Sequence, residues 1–413
     1  MANTWINPTI VAKEALRQLK NNTVMGELVY RGYEQEWART HNGYKPGSAI
    51  TINAPVYARV KTSATLDVVE ANERSMTLTL DNRLQVSYAV TSEEMTYNAE
   101  KNVPRLALAA SQAIGEYIDK TLLGLYAYVP NQVGTPGVTP KDFLTLALAN
   151  AKLSQHAVPT TDRRCVIDPM AQAYIADALK NLYNPAMVGP AVERAKFSTL
   201  AGMDTFVSQN VNMHTCGTAA GIPLVLNKGV HTEGLETVTL DYNSANWTLT
   251  MAVGDIFTLA NVYGLNPVSG VNTGVLRQFV VTDQTVNGTT DTALNTTPGT
   301  APYKIYSSGC NEKFLPYATT NSLAADNAAA VVAGTASLVH PVNLAFHRDA
   351  FALAMVPIAV PMSVAWSATA NYEGYSMRVL RDYDVNNDQE YLRFDCLFGT
   401  RTINPFMACR IAG

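Results

Sequence analysis

The chain has 413 residues, 47% hydrophobic and 15% charged, which is enough length for two or three domains with real cores and a charged share well below the roughly one quarter usual in soluble domains. Thirty Lys and Arg against 34 Asp and Glu give a formal net charge of −4, so no basic footprint for tight nucleic-acid binding exists. The five cysteines, Cys165, Cys216, Cys310, Cys396 and Cys409, are odd in number and far apart, which argues for reduced, mostly buried thiols and against a disulfide frame.

Residues 1–40 read as an amphipathic arm. Ile10, Val11, Leu16 and Leu19 keep helical spacing, and residues 25–37, ending at Trp37, suit a second short helix. A short helix cannot bury its stripe alone. Leu16, Leu19 and Trp37 are therefore expected to find cover on another element or another subunit. No charged-then-apolar leader occupies residues 1–20.

Two strand-like runs follow, ITINAPVYARV (residues 50–60) and SMTLTLDNRLQVSYAV (residues 75–90), each alternating with a period near two. They read as one long hairpin, residues 41–97, whose tip spans residues 61–74. An isolated two-stranded hairpin is marginal. Its tip is expected to reach a neighbour, with Leu66, Val68, Val69 and Arg74 as contact candidates.

Residues 104–127 predict a long helix within a segment spanning 98–137, with Pro104 in its first turn and a buried stripe of Leu106, Ala110, Ala113, Tyr117 and Leu125 flanked by Ile114, Ile118 and Leu122. Residues 138–211 alternate helix, strand and helix, as a mixed α/β domain does. There Thr139 and Pro140 suit a helix start, and RRCVIDP (residues 163–169) suits a short buried strand. From residue 212 to 334 helical periodicity vanishes, and short strands recur between turn residues, which predicts a small antiparallel barrel or sandwich. Asp255, Arg277 and Asp283 read as charged tips able to make rim contacts. Residues 335–362 bring the α/β domain back, and residues 363–413 read as a closing sheet whose first two strands turn at Asn386 and Asn387. The most apolar run, residues 351–366, is broken by Pro357 and Pro361 and falls short of a membrane span. The expected class is α+β with an all-β insertion.

Local catalytic and cofactor signatures are missing from the sequence. DYDVNND (residues 382–388) imitates a calcium loop, but Asn387 stands where glycine is needed and Arg393 where a bidentate Glu is needed. The six histidines form no HExxH, no CxxC accompanies them, and His214 beside Cys216 reads as incidental. GxxxxGK[ST] and GxSxG are both absent. No catalytic, cofactor or metal residue is assigned, and no enzyme is expected.

The order of arm (residues 6–37), hairpin approach KPGSAITINAPVYA (residues 45–58), helix AIGEYIDKTLLG (residues 113–124), AVGDIFTLANVYGLNP (residues 252–267) and PVNLAFHRDAFALAMVPI (residues 341–358) resembles the major capsid proteins of tailed bacteriophages with the HK97 fold. It is most similar to podovirus coat proteins that carry an inserted β-domain. The resemblance implies an N-terminal arm, an extended E-loop hairpin, a spine helix, peripheral and axial domains, and an inserted antiparallel β-barrel. It further implies pentamers and hexamers in an icosahedral lattice, a separate scaffolding protein, a portal protein, possible decoration proteins, and packaged double-stranded DNA held by weak non-specific contact. Assembly would take place in the host cytoplasm, without a membrane. Some relatives crosslink subunits through Lys and Asn with help from Glu; Lys61, Glu70 and Asn404 match no such motif, and crosslinking is not assigned. Two other readings stay open: a phage tail or receptor-binding protein with a β-rich binding domain, and a hydrolase with a β-insertion lid.

Overall fold

In the computed structural model, which describes residues 8–38, 47–53, 64, 75–179, 199–226, 237–241, 250–266, 272–284, 301–305, 328–361, 364, 366–372 and 374–413, the chain builds two compact units and passes between them more than once. The first holds residues 1–52, 75–122 and 351–403; the second holds 53–74, 123–350 and 404–413.

The chain begins in the first unit with α1 (Pro8–Asn22), α2 (Met25–Leu28) and α3 (Glu34–Ala38). Val11, Ala12, Ala15, Leu16 and Leu19 form the buried stripe of α1, whereas Ile10, expected within it, is 64% exposed. The two short strands β1 (Ala49–Asn53) and β2 (Ser75–Thr79) pair as the base of a hairpin. The expected tip, with Leu66, Val68, Val69 and Arg74, lies outside the described residues.

The run from 75 to 90, expected as one strand, is two. After β2 the chain turns at Leu80 and Asp81 into β3 (Asn82–Thr91), which pairs with a strand from the end of the chain. The Asn82 amide donates to the Asp81 carboxylate at 2.9 Å across the break. Next comes α4 (Ser92–Gly124), which begins twelve residues before the expected start and leaves Pro104 inside the helix. Thr91-Ser92-Glu93-Glu94 is a capping-box pattern, a start signal as strong as Pro104. The buried side of α4 also differs from expectation. Ala107, Ala110, Ser111, Ile114, Ile118, Asp119 and Leu122 are buried, while Ala113 and Tyr117 face outward.

In the second unit come β4 (Gln132–Val133), α5 (Phe143–Gln155), β5 (Arg163–Ile167), α6 (Pro169–Leu179), β6 (Thr199–Leu200), β7 (Met203–Val207) and β8 (Met213–Thr215). α5 is capped at Asp142, three residues after the expected Thr139. Six strands then close an antiparallel barrel: β9 (Pro223–Leu226), β10 (Thr237–Asp241), β11 (Ile256–Leu265), β12 (Asn272–Gln284), β13 (Ala301–Ile305) and β14 (Ala329–Val332). Closure leaves no free sheet edge. Phe257 and Phe279 stack in its core at 5.5 Å, with Leu224, Leu259, Val281 and Val332 around them.

The chain leaves the barrel through β15 (Val339–His347), the central strand of a seven-stranded sheet ordered β4, C-terminal strand, β15, β5, β7, β6, with β8 pairing off β15. Leu146, Ala149 and Leu153 of α5 pack on Cys165, Ile167, Ala345 and Ile411 of that sheet. A 3-10 turn at Arg348–Ala350 then ends the return. The following strand, β16 (Phe351–Met355), belongs to the first unit, so the expected single return strand is shared between two sheets.

There β17 (Trp366–Tyr372), β18 (Tyr375–Asp384) and β19 (Gln389–Thr402) follow. The five-stranded sheet runs β16, β19, β18, β17, with β3 along β19, and α1 lies on β17 and β18. The β18–β19 turn falls where Asn386 and Asn387 were expected to place it: Asp384 accepts the Asn386 backbone N–H at 2.9 Å and the Asn387 amide at 2.7 Å. The last strand, β20 (Ala408–Ala412), leaves the closing sheet and pairs with β15 and β4 in the second unit. Asn404 causes the departure: its side chain accepts the Phe406 N–H at 3.1 Å and starts a 3-10 turn through Pro405, which cannot donate to a ladder.

Candidate functional site

Asp119, on the buried side of α4, is the fixed point of the arm. One carboxylate oxygen accepts the Val24 backbone N–H at 2.6 Å; the other accepts those of Met25 at 3.0 Å and Gly26 at 3.3 Å. These are donors that the start of a helix leaves without partners, and the Val24 side chain, at the cap of α2, makes no hydrogen bond to them. Burial raises the Asp119 carboxyl to about 6, outweighing the three N–H groups that pull it down. Thr23 Oγ1 sits 2.9 Å from the Tyr375 hydroxyl, and the Arg31 guanidinium lies 4.0 Å over the Tyr375 ring. Tyr30 brackets β16, donating to Phe351 O at 3.1 Å and accepting from Leu353 N at 3.0 Å.

The arm therefore finds its cover on its own chain. Leu16 and Leu19 are fully buried, and Trp37 is buried with its indole N–H donating to Gly47 O at 3.1 Å. Of the two kinds of cover expected, another element or another subunit, the chain itself supplies the first for Leu16 and Leu19: β17 and β18 lie against α1.

Asp255 and Arg277 are likewise not charged tips; both are buried. Arg277 lies 4.6 Å over the Phe406 ring. Asp283 sits on β12 opposite Lys304 of β13.

Asp255 is the centre of a polar cluster at the neck of the barrel. Its Oδ2 accepts the backbone N–H groups of Gly217 at 3.0 Å and Ala252 at 2.7 Å, and its Oδ1 lies 3.0 Å from His214 Nε2. His214 of β8 stands opposite His340 of β15 in the strand register, their rings edge to face at 5.5 Å. Tyr126 Oη is 3.2 Å from His214 Nδ1, and Cys216 Sγ is 3.9 Å from His340 Nδ1. Arg410 of β20 donates to Val129 O at 2.8 Å and Gly254 O at 2.5 Å. Burial lowers His340 to about 4 and raises Cys216 to about 11. In the sequence His214 beside Cys216 reads as incidental because their partners, Asp255 and His340, lie 41 and 124 residues away.

Outward-facing apolar side chains concentrate on two helices of the second unit, Phe143, Leu144 and Leu148 on α5 and Met170 and Tyr174 on α6. On α5 they stand opposite the buried Leu146, Ala149 and Leu153. In the first unit Leu108 and Tyr117 of α4 and Ile10 of α1 are exposed. Exposed apolar groups in such groups mark interaction surfaces. Among the described residues no helix is long and apolar enough to cross a membrane.

A curated major capsid protein of Acyrthosiphon pisum secondary endosymbiont phage 1 is 24% identical over 294 residues, covering 68% of this chain and 68% of that protein. Solved structures that resemble it include one of Mycobacterium phage Che8, with 12% identity, TM-score 0.48 and coverage of 94% of this chain and 90% of that one. The capsid of cyanophage P-SCSP1u gives 10% identity, TM-score 0.45 and coverage of 94% and 88%. The family described as P22 coat protein, gene protein 5, matches residues 1–413, so the chain belongs to the P22 coat protein family and is a phage major capsid protein.

Proposed function

We propose that this coat protein builds an icosahedral, HK97-like shell around the double-stranded DNA of a tailed phage, in pentamers and hexamers. The observation that carries the reading is the family match over residues 1–413. In this reading residues 1–40 are the arm, 41–97 the E-loop, 98–137 the spine segment, 138–211 and 335–362 the axial domain, 212–334 the inserted barrel and 363–413 the closing sheet of the peripheral domain. Two of these bounds shift with the fold, since β16 lies in the first unit and β20 in the second.

The protein works by self-association and performs no catalysis. The exposed α5 and α6 side chains and the hairpin tip, with Leu66, Val68, Val69 and Arg74, supply contacts, each modest, that sum through closure of the lattice. Asp283 is a further rim contact. A separate scaffolding protein, a portal and decoration proteins are the other partners, and assembly occurs in the host cytoplasm. A net charge of −4 supports weak, non-specific contact with packaged DNA.

The test is negative-stain electron microscopy and light scattering of the full-length protein, expressed with and without residues 61–74. Closed polyhedral shells or curved sheets are expected from the full chain and soluble monomer from the deletion. Normal particles from the deletion variant, or small cyclic oligomers from the full chain, would defeat the reading.

A further inference from the structure

We propose that His214, Cys216, Asp255 and His340 bind one divalent ion of the zinc class and so tie together the three chain segments that meet at the barrel neck. His214 and Cys216 are two residues apart on one extended run, so their side chains share a face. His340 faces His214 from the neighbouring strand. Asp255 enters from the turn before β11, held by the backbone N–H groups of Gly217 and Ala252 on the oxygen that His214 does not contact.

The separations bracket those the chemistry needs, and small side-chain adjustments bring them to it. Ligand atoms of His214, Cys216 and Asp255 all lie within 4.8 Å of one another; the His214–Asp255 separation is 3.0 Å and the Cys216–His340 separation 3.9 Å. Metal–nitrogen and metal–sulfur bonds of about 2.0–2.1 and 2.3 Å at tetrahedral angles require ligand separations of about 3.3–3.8 Å. A set of two imidazoles, one thiolate and one carboxylate suits zinc, and suits calcium or magnesium poorly.

Binding replaces the His214–Asp255 hydrogen bond with two metal bonds. His214 coordinates through Nε2 and keeps its proton on Nδ1, where Tyr126 Oη accepts it at 3.2 Å, the outer contact that fixes a metal-bound imidazole. His340 coordinates through Nδ1. The Cys216 thiol gives its proton to solvent, one per ion bound. Arg410 is engaged with the Val129 and Gly254 carbonyls. The consequence is mechanical: one ion fixes the strand entering the barrel, the strand leaving it and the turn between.

Full-length protein refolded with Zn2+ and gel-filtered is expected to retain about one equivalent by mass spectrometry of the metal. With Co2+ in its place, a thiolate-to-cobalt charge-transfer band is expected in the near ultraviolet. Cys216→Ser removes that band, His340→Gln weakens binding by more than the roughly 10–100-fold of an outer-shell change, and Tyr126→Phe weakens it within that range. Wild-type protein that retains less than a tenth of an equivalent overturns the proposal, and so does a Co2+ form without the band. These two readings use wild-type protein and stand even if a variant fails to fold. Metal binding by Cys216→Ser equal to wild type overturns it as well.

Discussion

Asp119 Oδ2 and the backbone nitrogen of Val24 stand 2.6 Å apart although 95 residues separate them in sequence. Through this contact a helix that was expected to act as a spine also caps the arm. Asp119→Ala strands the N–H groups of Val24, Met25 and Gly26, the last two buried, and each buried loss of this kind costs about 1–3 kcal/mol. Urea unfolding of the monomer should show the midpoint falling while the slope is kept. An unchanged midpoint would remove Asp119 from the latch.

The same carboxyl gives a pH signature. Its proton is held more tightly in the folded chain, at about 6 against an ordinary 3.8, so its contribution to stability is greatest below about pH 4 and declines as pH rises through about 6. Across that interval the decline is on the order of 3 kcal/mol at most. Asp119→Asn should flatten that slope between pH 4 and 7. Identical slopes for wild type and variant would contradict the assignment.

Gly399 lets the β2–β3 corner pass over β19. A Cβ there would lie 2.0 Å from the Thr79 carbonyl oxygen, a clash with backbone that no side-chain rotation relieves. Gly399→Ala is expected to destabilise by about 2 kcal/mol or more. Gly47→Ala, where a Cβ meets nothing within 4 Å, serves as the neutral control in thermal unfolding. Equal melting temperatures for the two variants would discount the crossing.

Asp395 is fully buried between arginines: Arg378 Nε reaches it at 3.1 Å and Arg393 Nε at 2.6 Å. Asp395→Asn leaves the buried Arg378 charge uncompensated. The expected loss is about 3–5 kcal/mol. Recovery of stability in Asp395→Asn combined with Arg378→Met, read from denaturant midpoints, would identify the unpaired charge as the cause; no recovery would point to packing instead.

Leu16→Ala should act as a folding lesion, costing about 2–5 kcal/mol of monomer stability, since Leu16 is fully buried on the sheet. Ile10→Ala, at 64% exposure, should leave the monomer unchanged. Assembly defects from Leu16→Ala without any loss of monomer stability would restore Leu16 as a contact between subunits.

Much of the architecture was legible because it is written in local patterns. The barrel showed in short strands between turn residues, β5 in a compact apolar run, and the β18–β19 hairpin in Asn386 and Asn387. The sequence offers two start signals for α4, Pro104 and the Thr91–Glu94 capping pattern, and the fold uses the second; apolar spacing predicts a stripe through Tyr117, where the fold buries Asp119. Strand partners were the weakest point. Alternation shows that 75–90 has two faces, but it does not reveal a corner at Leu80 or a partner three hundred residues on.

From its sequence alone this chain determined its α+β class, the antiparallel insertion and the absence of local catalytic motifs, because periodicity and turn chemistry act over a few neighbouring residues. Only the tertiary structure decided that the arm is covered by the closing sheet of its own chain, that β20 crosses to the second unit, and that His214, Cys216, Asp255 and His340 converge. Those outcomes depend on groups as far apart in sequence as His214 and His340, and burial, which turns a scattered Asp or His into a cap or a ligand, exists only once the chain has closed on itself.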